Sequence, residues 1–405
     1  MSLEFQNLRH RRRLIGAAAI AAAVAAGLAA TGVAGAAGAD AATAPVLQTL
    51  TYTATGPGGG LYKPVGVSAA GGTVYVSDTG ANEVAAIAAG ATTAFAGSLT
   101  AFGEHGDGGQ ATGASLYHPG GTAVDAKGDV FIADSGDNVV REVTAAGTIR
   151  RLAGTGIAGL GIAGPFGFPA ALSNLDHPQN VAVNAAGDVF VADTYNNRVV
   201  KVTPQGKVTT VAGDGAAGYS GDGRLAAFAE LNEPTGVAVD AKGDLYIADS
   251  ANNVIRRVDA RTGIITTVAG DVAADKANDG LGGFSGDNGP ATSAQLNDPQ
   301  GVALDGAGDL FIADTFNNAI REVTPAGTIT TVVNAAPAAG GAPPAGSEST
   351  GKAPTASKLN TPYGIAIDPT TDDLYIADTD NSKIAEVTGL AQPGDTPGPT
   401  APAQS

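Results

Sequence analysis

The chain repeats itself, and no other feature of the sequence constrains its fold as tightly. Six segments align, beginning at Leu61-Tyr-Lys-Pro64, Leu116-Tyr-His-Pro119, Leu175-Asp-His-Pro178, Leu231-Asn-Glu-Pro234, Leu296-Asn-Asp-Pro299 and Leu359-Asn-Thr-Pro362. Each continues through a GVAVD-like run and a short turn into a run such as DLYIAD. The Asp closing that run is Asp78, Asp134, Asp193, Asp249, Asp314 or Asp378. From the leading Leu to the end of a later VAG-like run, the first five units span 37 to 40 residues, whereas the connectors after them take 18, 20, 17, 25 and 24. A constant unit joined by variable connectors is the pattern of a repeat scaffold with surface insertions.

The fourth unit shows what one repeat builds. Val237–Asp240, Asp244–Asp249, Val254–Val258 and Ile264–Val268 read as four strands, separated by turns of three or four residues rich in Gly, Asn and Asp. Such turns join antiparallel neighbours, since parallel strands need crossovers of a dozen residues or more. The first two strands are apolar at almost every position, so both faces are expected to be buried. The third mixes in Arg, Lys and Glu and is expected nearer solvent. One four-stranded antiparallel sheet per repeat, buried on both faces at its inner strands, is a propeller blade. The fold predicted is all-β, a six-bladed β-propeller over residues 42–390. The sixth unit stops after its third strand, and Val46–Thr53 reads as a lone fourth strand. The two pieces together make one blade, so the N-terminal strand is expected to close the ring.

The residues resemble the NHL-repeat family of β-propellers. The match is P-x-G-[VI]-A-[VL]-[DN], then [LV]-[FY]-[IV]-A-D, then Asn-Asn before a basic residue, as in Asp193-Thr-Tyr-Asn-Asn-Arg198. It covers about residues 46–390. The loops Gly218–Gly223 and Gly283–Leu296 also look like inserts common in secreted bacterial members. The resemblance implies fold rather than activity, because relatives include sensor domains, partner-binding scaffolds and a few lyases.

The ends of the chain read differently. Arg9-His-Arg-Arg-Arg13 precedes an uncharged, Ala-dominated stretch, Leu14–Ala34, and A-x-A patterns follow at Ala37–Ala39 and Ala39–Ala41. Residues 1–41 therefore read as a secretory signal peptide, with Arg11–Ile15 a loose twin-arginine pattern. Cleavage leaves no membrane span in the mature form; the alternative is retention of residues 14–34 as an anchor. The Ala-rich leader suggests a bacterial source. Residues 391–405 form a Pro/Gly-rich tail expected to be disordered.

Charge and composition exclude several functions. The formal charge of −17 disfavours nucleic acid, whose binders need a positive footprint. Cys is absent, which removes disulfides, thiolate zinc sites and Cys nucleophiles. Gly-x-Gly-x-x-Gly occurs at Gly154–Gly159, Gly159–Gly164 and Gly213–Gly218, but in connectors and without a following helix, so a dinucleotide site is not expected. His105–Gly109, Ser220–Gly223 and Ser285–Gly289 are acidic glycine loops. Asp there can ligate Ca²⁺ or another divalent metal, yet each loop supplies one carboxylate, and a tight turn capped by Asp is the simpler expectation. The strand-ending Asp residues and the Asn-Asn after them recur in too many units to form one catalytic site, and read as turn-stabilising groups.

Two kinds of site remain. His118 and His177 precede the repeat Pro in adjacent blades, at one mouth of the channel. The family resemblance implies a lyase or lactonase alternative, since related lyases use inward histidines with a metal, but no third ligand is evident. Gln179, Asn180, Thr235, Gln300 and Tyr363 follow the repeat Pro and place polar groups at the same mouth, the ordinary makings of a ligand site. The expectation is an exported, monomeric, non-enzymatic binding or scaffold propeller without a cofactor, recognising a protein, peptide or carbohydrate at its loop-bearing mouth. A membrane-anchored sensor module is a further alternative.

Overall fold

In the computed structural model, residues 45–50, 60–98, 103, 105–161, 167–277, 280–334, 343–346 and 351–389 are described. The expected signal peptide (1–41), the expected disordered tail (391–405) and residues 51–53 of the expected closing strand lie outside them. The repeats form six antiparallel sheets with at least four strands each. The innermost strands are Pro64–Ala70, Pro119–Val124, Pro178–Val183, Pro234–Val239, Pro299–Leu304 and Pro362–Ile367. Each lies beside the next, and Pro362–Ile367 returns to Pro64–Ala70, so the ring closes. Blade 6 takes its outer strand from the N-terminus. Val46–Thr49 pairs antiparallel with Lys383–Thr388, Leu47 opposite Val387 and Thr49 opposite Ala385.

The core lies between blades rather than at one centre. Six apolar clusters each join two neighbouring sheets; one packs Phe131 and Val140 of blade 2 against Val181, Val191 and Val200 of blade 3. This is why the inner strands are apolar on both faces. The repeat Leu residues, Leu116, Leu175, Leu231, Leu296 and Leu359, are at most 1% exposed and help fill these wedges.

The third strand departs from expectation. Arg141, Arg256 and Arg321 sit in it and are fully buried. Their charge is neutralised in place: Arg256 Nη1 donates to Asp249 at 3.2 Å and Nη2 to Asp222 at 2.7 Å. Arg141 bridges Asp134 and Asp107, and Arg321 bridges Asp314 and Asp287, in the same way. The carboxylates of the three acidic glycine loops are thus ion-pair partners of buried guanidinium groups. The Tyr219 and Phe284 rings cover Arg256 and Arg321 at 4.6 Å, adding a cation–π contact. Arg198 pairs with Asp193 at 2.7 Å from a position two residues earlier. Blades 1 and 6 carry Ala85 and Ala385 instead.

Connectors do more than link blades. Each of the five that enter blades 2 to 6 runs down the outer edge of the blade it enters. Gly108 and Gly109 bond Ile149, Phe168–Pro169 pairs with Lys207 and Val208, and Gly223 and Arg224 bond Ile265. Gly289–Pro290 pairs with Thr328 and Ile329, and Gly351 and Lys352 bond Leu47. The outer strand of blade 1, Ala91–Gly97, has no such cover among the described residues.

Candidate binding mouth

The mouth is assembled from one junction used repeatedly. The second strand of each blade ends in a buried Asp that accepts the backbone N–H two residues before the repeat Pro of its own blade, as in Tyr62 to Asp78 at 2.7 Å and Asn360 to Asp378 at 2.7 Å. The hydroxyl after that Asp donates to the Pro carbonyl of the next blade: Thr79 to Pro119, Ser135 to Pro178, Thr194 to Pro234, Ser250 to Pro299, Thr315 to Pro362, and Thr379 back to Pro64, all within 2.8 Å. A three-residue 3₁₀ turn then ends in left-handed Asn82, Asn138, Asn197, Asn253 or Asn318. Asn tolerates that backbone region well. Its side-chain oxygen accepts the N–H of the residue before the next blade's Pro, His118, His177, Glu233, Asp298 or Thr361, at 2.7–3.0 Å. In blade 6 Ser382 holds the left-handed position with φ 54°, and its short side chain makes no such bond to Lys63. The recurrent Asp and Asn are therefore the rivets of the ring.

Just past the Pro, every innermost strand carries a register irregularity against its neighbour. A bulge turns a side chain away from the regular ladder. The next position is Gly66, Gly121, Gly236, Gly301 or Gly364, with Asn180 in blade 3. A Cβ on Gly66 would come 2.3 Å from the Gly120 carbonyl oxygen, and one on Gly364 2.4 Å from that of Val65, so the backbones touch around the ring. Above this collar Val65, Gly121, Gln179, Asn180, Thr235, Gln300, Tyr363 and Gly364 line a small, half-open hollow. The structure brings together all five residues expected there.

Their roles differ. Thr235 is buried, with its hydroxyl bonded to Ser250 Oγ and the Gln300 carbonyl, so it is a strut. Asn180 lies against Gly121. Gln300 Nε2 donates to Asp298 at 2.9 Å, leaving its carbonyl oxygen. Gln179 has no protein hydrogen-bond partner among the described residues. Burial holds the Tyr363 hydroxyl well above the usual phenol range, and the nearby Asp298, Asp380 and Tyr195 push it further the same way. The groups open to a ligand are thus neutral amides and a phenol, rimmed by Asp176, Glu233, Asp298 and Asp380.

The two histidines take rim positions. His118 is exposed, edge-on to Tyr117 at 4.5 Å, and His177 stacks on Tyr195 at 4.9 Å. Burial lowers the His177 pKa, Asp176 opposes this, and the nearby His118 reinforces it. No group of three or more His, Asp or Glu able to hold a metal ion occurs among the described residues. Sequence reasoning missed Tyr195 and Phe316, which follow the Asp-Thr pair and stand half-exposed at the mouth end of blades 3 and 5. The available signal was that this position changes between Gly, Tyr, Ala, Phe and Asp, while the residue before it is always Thr or Ser and the one after it is Asn in four of six units.

The model describing the Teneurin NHL domain matches residues 214–280 and 276–388, and that of the NHL repeat matches 175–202. Among curated proteins, human Teneurin-4 is 32% identical over 231 residues, which is 53% of this chain and 8% of that protein. The chain thus spans under a tenth of the length of such relatives. Among solved structures, a protein of unknown function from Bacteroides thetaiotaomicron superposes with a TM-score of 0.59 at 16% identity, covering 85% of this chain and 76% of that one. An auxiliary nutrient binding protein from the same species gives 0.58 at 14%, with the same coverage. At such identities the likeness concerns the fold.

Proposed function

Because this chain belongs to the NHL-repeat family of β-propellers, we propose that it is a binding propeller whose ligand docks at the mouth above the glycine collar. The carrying observation is the convergence of Gln179, Gln300 and Tyr363, from three different blades, on one hollow. Bulges re-aim them there, and among the described residues the Gln179 side chain and the Tyr363 hydroxyl have no hydrogen-bond partner. Polar groups left open in a concave site are what a ligand's hydrogen bonds fill. The open groups are uncharged and the rim is acidic. The ligand class is therefore neutral or basic, a sugar, a peptide or a cationic surface, and not an anion. Half-exposed Tyr195 and Phe316 add apolar faces against which a sugar ring or an aliphatic side chain can pack. In this reading residues 1–41 are an export signal, the chain acts outside the cell, and it performs no chemistry. Among the described residues no helix is long and apolar enough to cross a membrane.

The test is a titration of the purified protein with neutral oligosaccharides, basic peptides and an anionic polysaccharide. A member of the first two classes should bind and the third should not. Replacing Gln179, Gln300 and Tyr363 together by Ala should abolish binding with the melting profile kept. A ligand whose affinity ignores the triple substitution would sink the proposal. For export, the secreted product should begin between Asp40 and Ala44 by intact mass; a full-length, membrane-retained product contradicts it.

A further inference from the structure

Every blade sets two residues face to face at the mouth. One stands two before the repeat Pro, and the other follows the Asp-Thr or Asp-Ser pair. The N–H of the second donates to the carbonyl of the first, as from Gly80 to Tyr62 at 2.9 Å and from Asp380 to Asn360 at 3.1 Å. Aromatic rings occur at these positions by exchange. In blades 1 and 2 the first position holds Tyr62 or Tyr117, and the second holds Gly80 or Gly136. In blades 3 and 5 the second position holds Tyr195 or Phe316, and the first holds Asp176 or Asn297. Neither Gly80 nor Gly136 has a positive φ, so what each supplies is room. A Cβ at either would run into the tyrosine ring across from it, whereas Ala251 is accommodated opposite Asn232 in blade 4.

The two glycines thus let the rings of blades 1 and 2 lie across the turn and still face solvent: Tyr62 is 61% exposed and Tyr117 39%. The row continues through His118, 4.5 Å from the Tyr117 ring, and His177, 4.9 Å from Tyr195. It runs along blades 1 to 3 and ends beside Gln179 in the hollow. No position of the six pairs, and no residue just before a repeat Pro, is Val, Leu, Ile or Met. A protein partner buries an apolar core, which this rim does not offer. It offers aromatic faces beside Asn, Asp and Gln. A sugar ring matches that composition: its C–H face packs on an aromatic ring, and its hydroxyls, which both donate and accept, meet amides and carboxylates.

We propose that Tyr62, Tyr117, His118, His177 and Tyr195 form an aromatic track for a neutral oligosaccharide. The inference rests on the mouth as the binding site. One end of the sugar chain sits in the hollow on Gln179, Gln300 and Tyr363, and the sugars that follow stack outward along blades 3, 2 and 1. The track narrows the ligand class from neutral or basic to neutral carbohydrate, and it makes affinity depend on chain length.

Calorimetric titration of the full chain with neutral gluco-, xylo- and manno-oligosaccharides, from disaccharide to hexasaccharide, tests this. In at least one series the hexasaccharide should bind more tightly than the disaccharide. Tyr62→Ala combined with Tyr117→Ala should lower hexasaccharide affinity roughly tenfold, the effect of losing about one ring face of apolar contact, and disaccharide affinity far less. The melting curve should be kept, since both rings are exposed. Tyr62→Phe with Tyr117→Phe, which keeps the rings, should restore hexasaccharide binding. The chain has no Trp, so tyrosine emission should change on adding hexasaccharide, and change less in the Ala pair. Affinity that ignores chain length, or an Ala pair that binds every length like wild type, overturns the track. If the same sugars are still lost on the triple Ala substitution in the hollow, the mouth reading stands without it. A basic peptide that binds at the mouth where no sugar does overturns the sugar class and leaves the mouth reading intact. A protein that binds none of these probes overturns both.

Discussion

The seam between blades 6 and 1 lacks one of the rivets found at the other five junctions, so it should be the place where the ring is most easily strengthened. Ser382→Asn restores it. The backbone there already has the left-handed conformation, φ 54° and ψ 49°, which Asn occupies more readily than Ser. The acceptor would face the Lys63 N–H as Asn82 faces that of His118, at 2.7 Å. A typical hydrogen bond contributes about 0.5–1.5 kcal/mol net. Lys63 is exposed, so water already satisfies part of the demand, and the lower half of that range, about 0.5–1 kcal/mol, applies. For a domain of this size the gain corresponds to roughly 1–3 °C in melting temperature. The reciprocal change, Asn138→Ser, removes a bond to the half-buried His177 and should cost about 1–2 kcal/mol, since the orphaned donor is partly shielded from water. Urea unfolding followed by circular dichroism measures both, and the denaturant slope should not change. If Ser382→Asn is neutral while Asn138→Ser is costly, the junctions are not equivalent and the rivet argument fails.

Other consequences can be checked alongside. Leu47 is fully buried in the blade 5–6 wedge, so Leu47→Ala should cost about 2–5 kcal/mol in the same unfolding assay; a loss below 1 kcal/mol would show that the N-terminal strand does not close the ring. Arg256→Ala leaves Asp249 and Asp222 facing each other without their cation, and about 3–5 kcal/mol of destabilisation is expected in denaturant titrations, against little change for the exposed Lys242→Ala. Asp78 has no guanidinium partner in its blade. Burial raises its pKa to about 7, the Tyr62 N–H opposes this, and Glu83 adds to the rise. A raised carboxyl favours folding when protonated, so that contribution is full below about pH 4 and fades as pH rises through 7. Thermal melts should fall from pH 5 to pH 8, and Asp78→Asn, which cannot ionise but still accepts from Tyr62, should flatten the profile.

The blades and the closing strand were legible because both rest on local patterns: alternation of apolar runs with Gly and Asn turns, and one strand surplus at one end against one missing at the other. The mouth was legible because the repeat Pro fixes where each inner strand begins, so the residue after it could be located in every unit. What the sequence hid was pairing at long range. Arg256 looks like a solvent residue until Asp222, 34 positions upstream, is seen folded against it. The connectors likewise look like free loops, because a two-residue strand such as Phe168–Pro169 carries no periodicity to read. Thr235 looked like a recognition group, and only its bonds to Ser250 and Gln300 show that it is occupied.

Stacked repeats ordinarily form arrays that can lengthen or shorten one unit at a time, since each unit meets only its neighbours. The glycine collar removes that freedom here. Where a Cβ on Gly301 would stand 2.3 Å from the Tyr363 carbonyl oxygen, the inner strands have already converged as far as atoms allow. Each such contact joins adjacent blades, so excising or duplicating a unit has to change the angle at every junction at once, and the apolar wedges between the sheets would no longer fit. Closure therefore couples every junction to every other, and changes in the connectors are tolerated far more freely than a change in the count of units.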